Sequence, residues 1–259
     1  MTKTAVLLVS FGTTYPESRH ETDDSADTAF ASAFPEATLF HAYTSVIVRR
    51  RVKANEGVTL DDVPAALQHI LDGGFKDLVV QSLHIIPGIE YHRLCDQLVP
   101  FNSKFEHVSV GKPLLTSFDD FQTVVGWLKM VGTDDDTKAV VFMGHGTGDH
   151  AFTTYACLDH MLMETNVYMG AVESYPGIDT MIAELKQRDV KSVVVRPFMM
   201  VSGNHVHHDM TSESPKSWTS RLTAAGFKVE PEFSSLANVS AILTLFTEHA
   251  KQAVEAQHE

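Results

Sequence analysis

A chain of 259 residues, 44% hydrophobic and 20% charged, has the composition of a soluble globular protein and the length for one large domain or two small ones. A formal net charge of −13 argues against nucleic acid as a partner, because phosphate binding needs a basic footprint. No apolar run approaches the roughly 20 residues that cross a membrane.

The elements follow in order. Apolar, β-branched runs predict strands at 4–10 (TAVLLVS), 37–43 (ATLFHAY), 77–83 (DLVVQSL), 106–110, 138–143 (KAVVFM), 167–172, 191–198 (KSVVVRPF) and 227–230. Several are continuous rather than alternating, as strands covered on both faces should be. Helical stretches lie between them, among them 61–72, 150–164 and 176–188, with a long amphipathic one at 238–256. Alternating β and α elements imply an α/β fold with parallel sheets and right-handed crossovers. The first run starts at Thr4 and is too short for a signal peptide, so the chain reads as cytoplasmic, or periplasmic if a leader has been removed. Cys95 and Cys157 lack CxxC spacing and read as buried free thiols.

An internal repeat runs through these elements. AVLLVSFGTT at 5–14 aligns with AVVFMGHGTG at 139–148, HAYTS at 41–45 with GAVES at 170–174, and KDLVVQSLHIIPG at 76–88 with KSVVVRPFMMVSG at 191–203. The order is the same in both halves. Two similar units are therefore expected, 1–125 and 126–259, with the last helix, 238–256, packing back on the first.

In open parallel sheets, ligands sit beyond the carboxyl ends of the strands. In the second half three metal-competent residues stand there: His145 after KAVVFMG, Glu173 after VYMGAV and His205 after KSVVVRPFMMVSGN. Two imidazoles and a carboxylate suit Co²⁺, Fe²⁺, Ni²⁺ or Zn²⁺, and three ligands leave coordination positions open. By the alignment their first-half counterparts are Phe11, Thr44 and Glu90, so the set belongs to one repeat only. Gly144 and Gly146 flank His145 and allow close approach of a flat molecule.

Other polar groups carry two readings each. Ser10-Phe11-Gly12-Thr13-Thr14 offers hydroxyls and N–H groups at a helix start, a usual carboxylate site, and lacks the GxxxxGK[ST] nucleotide pattern. Arg49-Arg50-Arg51 with Lys53 is the densest basic run, either a carboxylate clamp or a solvated helix face. His207 and His208 crowd His205, so spacing alone leaves open which one would bind metal. His150 and His160 read as structural. His84 and His92 read as hydrogen-bonded or surface histidines, or as a second site such as an axial ligand to a haem shared between subunits.

At LLVSFGTTY (7–15), VVQSLHIIPG (79–88), VVFMGHG (140–146), YACLDHM (155–161), MGAVESYP (169–176), GNHVHHDM (203–210) and SWTSRLTAAG (217–226) the sequence resembles the class II tetrapyrrole chelatases. The resemblance spans essentially the whole chain and is greatest to the anaerobic sirohydrochlorin cobaltochelatase branch of cobalamin synthesis. It implies two Rossmann-like halves around a cleft and metal ligands at His145, Glu173 and His205. The G-[DN]-H-x-x-x-D-M pattern selects His205, although the extra histidines of HVHH depart from it. It further implies ATP-independent insertion of Co²⁺ into sirohydrochlorin or precorrin-2, with His145 and Glu173 catalytic. Substrate contacts would come from Ser10, Gly12, Thr13, Arg49, Arg50, Ser82 and His84, and accessory ligands from His92 or His207. The alternatives are an iron or nickel chelatase and a carrier that binds without inserting. The last helix and an accessory histidine are compatible with a homo-oligomer.

Overall fold

The structure, a computed structural model, describes residues 3–257. It contains two compact units, one of residues 1–116 together with 239–259, the other of residues 117–238. Among the described residues no helix is long and apolar enough to cross a membrane.

The first unit contains β1 (Thr4–Ser10), α1 (Pro16–Ala33), β2 (Thr38–Tyr43), α2 (Val46–Glu56), α3 (Val63–Asp72), β3 (Asp77–Ser82), α4 (Ile89–Leu98) and β4 (His107–Gly111). Its four strands are parallel in the order β2-β1-β3-β4. Central β1 is sealed on both faces: Ala5 through Val9 are at most 1% exposed, which is why its sequence shows no alternation. Ser45 and Asp62 cap α2 and α3 by accepting from the N–H groups of Val48 and Ala65.

The second unit contains α5 (Phe118–Val131), β5 (Lys138–Gly144), α6 (Thr153–Met161), β6 (Val167–Ala171), α7 (Ile178–Gln187), β7 (Ser192–Phe198), α8 (Trp218–Ala224) and β8 (Lys228–Pro231). Its strand order, β6-β5-β7-β8, is that of the first sheet. The expected α/β fold of two similar units with parallel sheets is what is observed. Val141, Met143, Val195, Met181 and Leu185 form its core, each buried aliphatic side chain contributing roughly 1.5–3 kcal/mol. The final helix, α9 (Ser240–Glu255), belongs to the first unit and packs on β3, β4 and α1, with Ile242, Leu245 and Phe246 among its buried residues.

Two local expectations need correction. The helix read at 150–164 is a 3-10 turn at His150–Phe152 followed by α6, which stops at Met161. The Asp149 carboxylate accepts from the N–H of Ala151 to open the turn, and the Thr165 hydroxyl donates to the Leu162 carbonyl to close the far end. Nor are the cysteines buried: Cys157 is exposed on α6 and Cys95 half-buried on α4.

Candidate metal centre

Strand register brings three chain ends to one level. Gly144, the last residue of β5, is paired with Ala171 of β6 and with Phe198 of β7. The chain passes from β5 outward to β6 and then crosses to β7 on the other side, so this is the topological switch point of the sheet. His145 follows Gly144 directly, and Glu173 lies two residues past Ala171. The Val172 N–H donates to the Gly144 carbonyl (3.0 Å) and the Glu173 N–H to the His145 carbonyl (2.9 Å). These bonds extend the β5–β6 pairing beyond the strands and fix the imidazole beside the carboxylate.

Gly146 is indispensable to this packing. Its φ is +87°, and a Cβ there would stand 2.7–2.9 Å from the Ser174 hydroxyl and the backbone nitrogens of Ser174 and Glu173. The third residue arrives from β7. His205 opens a single wide π turn, Val206–Met210, a geometry that recurs at functional sites. Its buried Val206 and Met210 anchor the turn in the core.

The ligand atoms of His145, Glu173 and His205 all lie within 4.8 Å of one another, and no other such group of three occurs among the described residues. The two rings meet edge to face, centroids 4.2 Å apart. A first-row ion sits at about 2.0–2.2 Å from nitrogen and oxygen ligands, so modest side-chain rotation closes the three around it. His145 Nδ1 lies 2.9 Å from the Gly146 carbonyl, which only a protonated Nδ1 can satisfy, placing the ring's lone pair on Nε2. His205 Nδ1 lies 2.7 Å from Asp209 Oδ2, one helical turn on, with the same consequence. The His145 and Glu173 side chains are 40% and 54% exposed, so a large second molecule can reach them.

The remaining predicted residues divide. His207 stacks on Phe233 and His208 is exposed beside Asp209; neither joins the cluster. Ser10 and Thr13 are buried: Thr13 Oγ1 accepts from the Tyr15 N–H, and the Thr13 carbonyl accepts from Arg19. Gly12 has φ +85°, and a Cβ there would stand 2.9 Å from Tyr43 Cδ1. Arg49 is half-buried and paired with Asp62 at 3.0 Å, whereas Arg50, Arg51 and Lys53 are exposed. Ser82 and His84 form a pair, Oγ to Nδ1 2.8 Å, with Thr44 Oγ1 3.5 Å from Nε2. Burial lowers His84 to about 4, against an opposing pull from the Glu90 charge, so the ring is neutral at pH 7. His92 is exposed on α4, and His150 and His160 are exposed as well.

Sequence reasoning missed two features. Asp209 orients His205, and its i+4 spacing within GNHVHHDM was the available signal. The first unit also places exposed apolar side chains just past its strand ends: Phe11 after β1, Val46 and Ile47 after β2, and Ile89 beyond β3. A cavity lined by Lys129, Thr133, Asn166, Tyr168 and Arg188 lies at the amino ends of β5, β6 and β7, opposite the cluster. Its Asn166 and Arg188 side chains are spent on the backbone of Thr133, Met163 and Thr165.

Comparison with known proteins adds independent findings. A family model described as cobalt chelatase (CbiK) matches residues 4–255. A sirohydrochlorin cobaltochelatase of Salmonella typhimurium is 37% identical over 255 residues, covering 97% of this chain and 97% of that protein. Sirohydrochlorin cobaltochelatase CbiKC of Nitratidesulfovibrio vulgaris is 34% identical over 263 residues, covering 99% of this chain and 92% of that protein. Among solved structures, SirB from Bacillus subtilis with Fe³⁺ superposes with a TM-score of 0.68 across 100% of this chain and 98% of its own at 15% identity, a likeness of fold.

Proposed function

The chain belongs to the cobalt chelatase (CbiK) family, and from that premise we propose that it inserts Co²⁺ into sirohydrochlorin without ATP, holding the incoming ion on His145, Glu173 and His205. The observation that carries this reading is the convergence of those three side chains within 4.8 Å at the ends of β5, β6 and β7.

In the reading, partly hydrated Co²⁺ binds two neutral imidazoles and one carboxylate, with coordination positions left for the ring nitrogens. As the ion passes to the four nitrogens, two pyrrole N–H protons must leave, since the metallated ring is a dianion. The same transfer frees the lone pairs of His145 and Glu173. These become the proton acceptors, an imidazole being suited to the task near neutral pH. One M²⁺ leaves the side chains as two H⁺ arrive, so the site's charge is restored by exchange and no nucleotide is consumed.

The macrocycle's flat face suits the exposed Phe11, Val46, Ile47 and Ile89. Its acetate and propionate arms suit Arg50 and Arg51, since Arg49 already faces Asp62. The exposed His92 has the accessibility an axial ligand to a haem shared between subunits requires, which a haem titration of His92→Ala checks.

The test is an anaerobic absorbance assay with sirohydrochlorin and Co²⁺, with Fe²⁺ and Ni²⁺ in parallel. Multiple turnovers with Co²⁺ support the proposal. A stoichiometric spectral change without metallated product marks a carrier instead, and faster turnover with another ion reassigns the metal.

A further inference from the structure

The YACLDHM run at 155–161 forms α6, and none of its residues belongs to the triad. Yet its buried face lies directly beneath the loop that carries His145. Tyr155 is 2% exposed, among the largest fully enclosed side chains of the protein. Its ring occupies the space over Gly144, where a Cβ would come within 2.3 Å of Tyr155 Cε1. Gly144 therefore has no side chain because Tyr155 stands there. The Tyr155 phenol oxygen lies close enough to the Gly146 backbone N–H for that dipole to oppose the burial that pushes the phenol up to about 12. The carbonyl of the same Gly146 accepts from His145 Nδ1 at 2.9 Å.

We propose that Tyr155 is the positioning residue for His145: its ring fixes Gly144, its oxygen fixes Gly146, and Gly146 in turn fixes the rotation and tautomer of the imidazole. Asp159, one turn further along the same face, works on the neighbouring strand. Its half-buried carboxylate accepts from the Met169 N–H of β6 (3.0 Å), an edge-strand donor on the way to Glu173. One face of α6 thus braces both ligand-bearing loops. The device depends on orientation, because a metal-binding imidazole whose second nitrogen is held has a fixed lone-pair direction, and loosening such supports costs about 10–100-fold in metal affinity.

This inference rests on the metal-binding reading of His145. The test is a Co²⁺ titration of the full chain without tetrapyrrole, read by the visible ligand-field bands, for wild type, Tyr155→Phe, His145→Ala and Cys157→Ser. Tyr155→Phe keeps the ring over Gly144 and removes only the oxygen. It is expected to bind Co²⁺ roughly tenfold more weakly with shifted bands. Its thermal midpoint should stay within a few degrees of wild type, a separation that a merely structural role would not produce. Cys157→Ser, on the exposed side of the same helix, should match wild type in both. A Tyr155→Phe protein with wild-type affinity and bands overturns the inference. If wild type and His145→Ala give the same spectrum, the metal site itself is misassigned and this inference falls with it.

Discussion

At the ends of β5, β6 and β7 stand His145, Glu173 and the turn bearing His205; the aligned positions in the first unit are Phe11, Thr44 and Glu90. The two sheets share strand order and parallel sense, so the scaffold offers the same three sites twice. The second unit fills them with the candidate metal ligands, which keep 26–54% of their side chains exposed. The first fills them with an exposed ring, a buried hydroxyl and the Glu90 carboxylate, which is paired with Arg93. The contrast teaches that the switch point supplies placement alone, and the chemistry is written afterwards in a handful of residues.

Exchanging single residues should expose this asymmetry. Replacing Glu173 by Gln removes the anionic ligand and a proton acceptor, and the anaerobic insertion rate should fall about 10²–10⁴-fold. Thr44→Ala, at the matching place in the first unit, should stay within a few-fold of wild type. A comparable loss there would break the comparison. Gly146→Ala drives a Cβ into the backbone at Ser174 and Glu173 from a positive φ. Insertion should drop about 100-fold, as for small misplacements of reacting groups, with a lower melting temperature besides. Asp209→Ala frees the ring of His205 and should weaken Co²⁺ binding about 10–100-fold in a direct titration, with little change in melting temperature.

The smallest effect belongs to the first unit and is a pH dependence. The folded chain keeps His84 neutral down to about pH 4, whereas the unfolded chain takes up that proton near the ordinary 6.5. Between those values the unfolded state binds more protons. The His84 contribution to stability is therefore complete above about pH 6.5 and is lost progressively as pH falls toward 4. Thermal melts across that window should slope downward for wild type and more gently for His84→Gln. Equal slopes would mean that the ring is solvated in the native state.

How much of this was legible in the sequence varies with the physical signal. The central strands read clearly because burial on both faces leaves unbroken apolar runs such as AVLLV at 5–9. The triad was legible because three coordinating residues followed three strand-like runs in one repeat only. α1 left a faint trace, since its 18 residues bury only Arg19, Thr22, Ala26 and Phe30 and look polar throughout. Ser10 and Thr13 look like ligand-facing hydroxyls, but both are buried, and Thr13 is held by the Tyr15 N–H and the distant Arg19 guanidinium, which the hydroxyl pattern alone does not reveal. The packing of the Tyr155 ring over Gly144 was equally invisible, because it joins a helix to a strand end about ten residues away through a backbone position rather than a motif.

The most direct test of the central claim, that metal handling belongs to the second unit's triad, is the anaerobic insertion of Co²⁺ into sirohydrochlorin by His145→Ala beside wild type and Phe11→Ala. His145→Ala is expected to lose insertion about 100-fold or more together with the Co²⁺ spectrum of the protein alone. Phe11→Ala should retain that spectrum and insert with, at most, weakened tetrapyrrole binding. A His145→Ala protein that inserts Co²⁺ at the wild-type rate would contradict the claim.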